Sequence, residues 1–160
     1  VWAKNDIEHI FKNPFNHKFV IVDWAIAGIK NTDRFICNQS REYDGFRYRL
    51  GWLANEGNKK AIDFILDHSQ FFEFIFSKKY KAFDGLDSFI YSRATERISA
   101  DKNDKATKIF IYQHPEHFKD FIIEWANNND SNALDSILNN YDLFEEIIGD
   151  ELKKSVHNRS

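Results

Sequence analysis

Two stretches of this chain carry the same short apolar pattern, and that pattern limits the possible folds more than any other feature. The first runs Trp52-Leu53-Ala54, then polar Asn55 to Lys60 through Gly57-Asn58, then Ala61-Ile62-Asp63-Phe64-Ile65-Leu66. The second runs Trp125-Ala126, then polar Asn127 to Asn132, then Ala133-Leu134-Asp135-Ser136-Ile137-Leu138. Ala61, Ile62, Ile65 and Leu66 fall on one helical face, as do Ala133, Leu134, Ile137 and Leu138. A small alanine beside the turn permits close packing, and the branched residues need a neighbouring element to cover them. Each stretch leads into an aromatic segment, Phe72 with Ile75 or Phe144 with Ile147. Leu86 to Ile90 and Ala106 to Phe110 are looser versions. The pattern predicts helix, tight turn and second helix in units of about 24 to 36 residues that stack as hairpins.

Breakers divide the rest of the chain in the same style. Helices are expected over 1–11, 16–29 and 34–39, separated by Asn13-Pro14 and by Asn31-Thr32-Asp33, with Thr32 or Asp33 as a cap. Val20-Ile21-Val22 leaves a short strand open, and the alternation Phe46, Tyr48, Leu50 leaves a strand or extended loop open. Leu86, Phe89, Ile90, Ala94 and Ile98 form another amphipathic stripe. Pro115 suits the first turn of a helix, Ser131 suits a cap, and Gly149 interrupts the last helix. The fold class read from this is all-α: irregular stacked helical hairpins, with a compact multi-helix bundle as the alternative. One helical domain is expected over 1–152, with 153–160 fraying.

The paired stretches resemble degenerate ankyrin repeats, or a related irregular α-solenoid. Ala54, Gly57, Asn58, Ala61, Ile62, Ile65 and Leu66 match the usual transition between the paired helices. Ala126, Asn129, Asp130, Ala133, Leu134, Ile137 and Leu138 match it more loosely. This resemblance covers at most about half of the chain and implies protein recognition more readily than catalysis.

Composition narrows the partners. An apolar share of 42% and an aromatic share of 16% supply enough core material to argue against disorder. With 22 basic and 25 acidic residues the formal charge is −3, which gives no general attraction to nucleic acid. Cys37 is the only cysteine, so an intrachain disulfide and a cysteine-based zinc cluster are both excluded. A lone thiol fits the cytoplasm or another intracellular soluble compartment. No stretch reaches the roughly 18 to 20 apolar residues of a membrane span, because Asp23 breaks the run from Phe19 to Ile29. The chain starts at Val1 and contains no methionine, which fits a structural segment of a larger protein.

The chemical candidates are sparse. His114-Pro115-Glu116-His117 lacks the i,i+4 histidine pair of a metalloprotease, so helix capping or surface solvation is the simpler role. His9 and His68 would join a site only through tertiary folding. Asp84 with Asp87, and Glu145 with Glu146, are potential acids whose spacing fits a turn and a solvent face. Asp63 and Asp135 recur at matching positions beside the apolar stripe. Nucleophile elbow, P-loop, dinucleotide fingerprint and calcium loop are all absent, so no cofactor, no metal and no catalytic residue is assigned.

Arg41, Tyr43, Phe46, Arg47, Tyr48 and Arg49 make the best contact surface, since arginine and tyrosine combine charge, hydrogen bonding and planar packing. The same side chains can stack on nucleic-acid bases, although Glu42 and Asp44 dilute the field. Lys78, Lys79 and Lys81 form a second basic patch. The function expected is a noncatalytic protein-protein interaction or scaffold domain. Its alternatives are a helical hydrolase or transferase with dispersed histidine and acidic residues, and a structural segment of a larger protein.

Overall fold

The computed structural model describes residues 4–14, 16–39, 44–73 and 86–160. Among them the regular structure is helical, with no strand. The helices are α1 (Lys4–Lys12), α2 (Lys18–Ile26), α3 (Thr32–Gln39), α4 (Asp44–Asn55), α5 (Lys59–Asp67), α6 (Leu86–Ala100), α7 (Lys105–Gln113), α8 (Lys119–Asn127), α9 (Ser131–Asn139), the single turn α10 (Tyr141–Phe144) and α11 (Asp150–His157). Short 3-10 turns cover Ser69–Phe71 and Pro115–His117. The chain divides into two compact units, Val1–Thr95 and Glu96–Ser160, and the division falls within α6.

In the first unit α2 packs on α3, α4 and α5, and α4 packs on α5. Neither segment that left a strand open is one. Val20 to Val22 lies in α2, with Ile21 and Val22 fully buried. Phe46 to Leu50 lies in α4, where Phe46, Leu50 and Ala54 are fully buried. Those three positions are four residues apart and share one helical face, while Tyr48 falls on the other side. The period-2 alternation was a fragment of a longer period-3.6 pattern, and burial of the Phe46 face decides between them. Cys37 on α3 is buried, which together with the nearby charge of Asp33 pushes its thiol up to about 11.

In the second unit α9 is the centre, touched by α7, α8, α10 and α11. Here the fraying expected over 153–160 gives way to the helix α11, which buries Leu152 and Val156. Beyond that helix Arg159 reaches back to α9, with its Nε 2.6 Å from Asp135 Oδ1 and its Nη2 2.9 Å from Ser131 Oγ. Apolar contact and a charge-assisted bond hold a segment whose polar composition suggested none.

Tight turns of one kind join α4 to α5 and α8 to α9. At the end of α4, Gly57 takes φ +83°; its N–H donates to Ala54 O at 2.9 Å, and that of Asn58 donates to Leu53 O at 3.0 Å. At the end of α8, Asn129 takes φ +63°; its N–H donates to Ala126 O, and that of Asp130 donates to Trp125 O, both at 3.0 Å. This left-handed closure satisfies carbonyls that a helix end leaves open. It also explains why Ala54 and Ala126 stand where they do: both are buried at the turn.

After each turn the same local arrangement follows. Asn58, Asp104 and Asp130 cap α5, α7 and α9 by accepting the backbone N–H of Ala61, Thr107 and Ala133. Asp130 is therefore the cap that sequence placed on Ser131. At the other ends, His68 Nδ1 donates to Phe64 O and His114 Nδ1 donates to Phe110 O, both at 2.9 Å. Asn140 Nδ2 makes the corresponding bond to Ser136 O at 2.8 Å. Phe72, Phe118 and Phe144 are then buried one turn further on. The middle copy was the hardest to see, because Thr107 replaces the alanine and its turn is closed by Asp101, whose Oδ1 accepts from Asn103 N at 2.9 Å.

Candidate contact face

α2 and α4 lie side by side, and burial of Phe46 and Leu50 on one side of α4 leaves the opposite side facing outward. That outward face carries Tyr48, Arg49 and Trp52, and the neighbouring turn of α2 adds Lys18 and Phe19. Phe19 is 54% exposed, Tyr48 56% and Trp52 42%. With Gly45 these five residues line a groove of about 340 Å³. Gly45 contributes no side chain, so its part of the lining is backbone.

Arg49 organises the face. Its guanidinium carbon lies 4.7 Å from the ring centre of Phe19 and 5.0 Å from that of Trp52. Lys18 Nζ approaches the Phe19 ring at 5.5 Å. These distances allow cation–π attraction, which holds both exposed rings beside the arginine. Nη2 of Arg49 is 3.8 Å from Asp23 Oδ1, an ion pair beyond hydrogen-bonding reach. The buried Nε of Arg49 has no acceptor.

The structure thus brings two of the sequence-derived contact residues, Tyr48 and Arg49, onto one face. Arg47 is in the same helix but does not line the groove. Two positions on, at about 200° of helical rotation, Arg49 points elsewhere. Phe46 belongs to the core. Arg41, Tyr43, Lys78, Lys79, Lys81 and the Asp84 turn lie outside the described residues. Sequence reasoning did not single out Phe19 or Trp52 as contact residues: Phe19 stood at the start of an apolar run and Trp52 in an apolar segment before a turn. The i,i+4 pairing of Tyr48 with Trp52 would have found Trp52 once α4 was read as a helix.

A larger groove of about 720 Å³ lies elsewhere in the first unit, between the α2–α3 connection and α5, with Asp33, Lys60, Asp63, Asp67 and His68 among its lining. Two of its polar groups are engaged: Arg93 Nε and Nη2 bind Asp63 at 2.7 and 3.2 Å, and His68 Nδ1 donates to Phe64 O. His68 Nε2 lies 3.8 Å from Asp33 Oδ2. Volume alone does not make this the better contact site, because the exposed aromatic area is on the other groove. In the second unit, Ile109, Tyr112, Asn132 and Asp135 help to line a shallower groove of about 310 Å³.

The histidine cluster of the second unit does not converge. His114 is bonded to the end of α7 and its ring lies 4.3 Å from the Phe110 ring centre, tilted by 32°. His117 Nε2 is 3.6 Å from Glu116 Oε1, its own neighbour, and both side chains are about half exposed. Asp87, Glu145 and Glu146 are exposed. Among the described residues no group of three His, Cys, Asp or Glu side chains is placed to hold a metal ion. No described helix is long and apolar enough to cross a membrane.

No family model, curated protein or solved structure matches the chain.

Proposed function

We propose that this chain is a noncatalytic protein-interaction or scaffold domain of ankyrin-like or related α-solenoid organisation, whose contact face is formed by Lys18, Phe19, Tyr48, Arg49 and Trp52. The observation that carries the reading is Arg49 held between the exposed rings of Phe19 and Trp52. Exposed aromatic area costs on the order of 25 cal/mol per Å² relative to burial, so three such rings gathered on one face favour a partner that covers them. Aromatic and arginine side chains are also the ones that most often dominate binding energy at interfaces. Their seats on two packed helices pre-organise them, which lowers the ordering cost of binding.

The recurrent caps at Asn58, Asp104 and Asp130 support the solenoid part of the proposal, since one hairpin design reused along a chain is how such proteins are built. The buried thiol of Cys37 suits a reducing compartment, the cytoplasm or another soluble intracellular space. Affinity capture from cell extract tests the contact face. Partners recovered by the wild type should be lost with Arg49→Glu combined with Trp52→Ala, and retained with Lys60→Ala in the larger groove. Equal recovery of every partner by all three proteins overturns the assignment.

A further inference from the structure

Resting on the protein-contact reading above, we infer that the α2–α4 groove takes an acidic peptide segment, with a carboxylate on the Arg49 edge and neighbouring aliphatic or aromatic side chains against Tyr48 and Trp52. Phe19 and Trp52 both lie within cation–π range of the Arg49 guanidinium. Its side chain is 19% exposed and Nε is buried, so the pair of Nη groups is the edge a ligand would meet. A planar fork of this kind matches a carboxylate with two parallel N–H bonds. Asp23 does not fill that role: it stands at 3.8 Å with its side chain 55% exposed.

The chain contains its own comparison. In the second unit Lys108 Nζ sits 4.8 Å from the Trp125 ring centre, as Arg49 sits beside Trp52. There the cation is closed off from within, because Asp130 Oδ2 accepts from Lys108 Nζ at 3.1 Å and from Tyr112 OH at 2.9 Å. Trp125 is correspondingly less exposed than Trp52. The first unit has the cation and the rings, but among the described residues no carboxylate lies at hydrogen-bond distance from Arg49. An acidic side chain from a partner would complete the arrangement that Asp130 completes internally.

The formal charge of −3 means that these cations are a local feature rather than part of a basic surface. A nucleic acid would present a run of phosphates, and Lys18 and Arg49 with Asp23 beside them neutralise few of those. An acidic peptide needs only one or two matched carboxylates and gains from the rings. Asp23 then acts as a weak competitor for Arg49, and its removal should help the peptide.

A randomised peptide display library panned against the full chain tests this, with affinities of the selected peptides measured by fluorescence polarisation. Selected peptides should be enriched in Asp or Glu next to Leu, Ile or Phe. Replacing the acid by its amide, or Arg49→Gln in the protein, should weaken binding about tenfold, the scale of one charge-assisted bond. Asp23→Asn should tighten it about twofold, and raised salt should weaken it. If Arg49→Gln does not fold, the amide peptides and Asp23→Asn still decide. Neutral or proline-rich peptides whose binding is lost with Trp52→Ala would overturn the acidic ligand and keep the contact face. Selection of peptides indifferent to Trp52 and Arg49, or of none, would overturn both. Preference for a labelled oligouridylate, or dimerisation of the chain through this face, would likewise overturn the acidic peptide.

Discussion

His114 donates from Nδ1 to the carbonyl of Phe110 at 2.9 Å and lies 4.3 Å from that residue's ring centre, the same pair of contacts that His68 makes with Phe64. The bond closes the last turn of α7, whose carbonyls would otherwise lack partners. Since Asn140 performs the task at the end of α9, an amide should substitute for the imidazole. His114→Ala is expected to cost about 1 kcal/mol in urea unfolding, and His114→Asn well under half of that. Equal losses would show that ring packing on Phe110, rather than the hydrogen bond, is what His114 provides.

Acid should weaken the second unit through two capping aspartates. Burial alone would raise Asp104, but hydrogen bonds from Arg97 and Thr107 outweigh it and leave its pKa below the ordinary value. Asp130 is lowered in the same way, against burial, by Ala133 N–H, Lys108 and Tyr112. For a carboxylate lowered on folding, the stabilising contribution is complete above its unfolded value of about 3.9 and is lost as pH falls through the folded value. Stability should therefore hold from neutral pH to about 4 and decline below it. Asp104→Asn with Asp130→Asn keeps both caps, as Asn58 shows, and should flatten that decline in urea titrations run at successive pH values. Asp130→Ala also removes the cap and should cost about 1 to 2 kcal/mol at neutral pH. An unchanged acid limb in the double variant would contradict the account.

The turn between α4 and α5 depends on backbone conformation rather than on space. Gly57 has φ +83°, and a Cβ there would meet Phe89 Cζ at an ordinary 3.7 Å. Gly57→Ala should cost about 1 to 2 kcal/mol by forcing an L-residue into the left-handed region. Asn129→Gly, at φ +63° in the corresponding turn, should be neutral or stabilise by up to about 1 kcal/mol. Chemical denaturation of both variants checks the pair, and a harmless Gly57→Ala would mean that the turn relaxes to another conformation.

Much of the helical frame could be read from the chain because it is encoded locally. Ala54 and Ala126, the breakers after them, and the stripes Ala61 to Leu66 and Ala133 to Leu138 all lie within a few turns of each other. The helix α4 was obscured because Phe46, Tyr48 and Leu50 satisfy a strand alternation over a short window, and only Ala54 extends the series at helical spacing. The contact face was harder still. Trp52 and Phe19 are the residue types most at home in a core, and their exposure follows from the order in which α2, α4 and α5 pack. Arg49 was visible as a candidate, while its bracketing by two rings is tertiary. The interval from Asn58 to His68 recurs from Asp104 to His114, but different residue types at the buried positions between them, Ala61 and Thr107, hid the equivalence.

The central claim is that a protein partner covers Tyr48 and Trp52. Hydroxyl-radical footprinting of the chain, free and bound to a partner recovered by capture, measures this directly. Oxidation of Phe19, Tyr48 and Trp52 should fall at least about threefold on binding, while His68 in the larger groove and Ile109 in the second unit remain as reactive as before. Protection of His68 or Ile109, with Tyr48 and Trp52 still fully labelled, would contradict it.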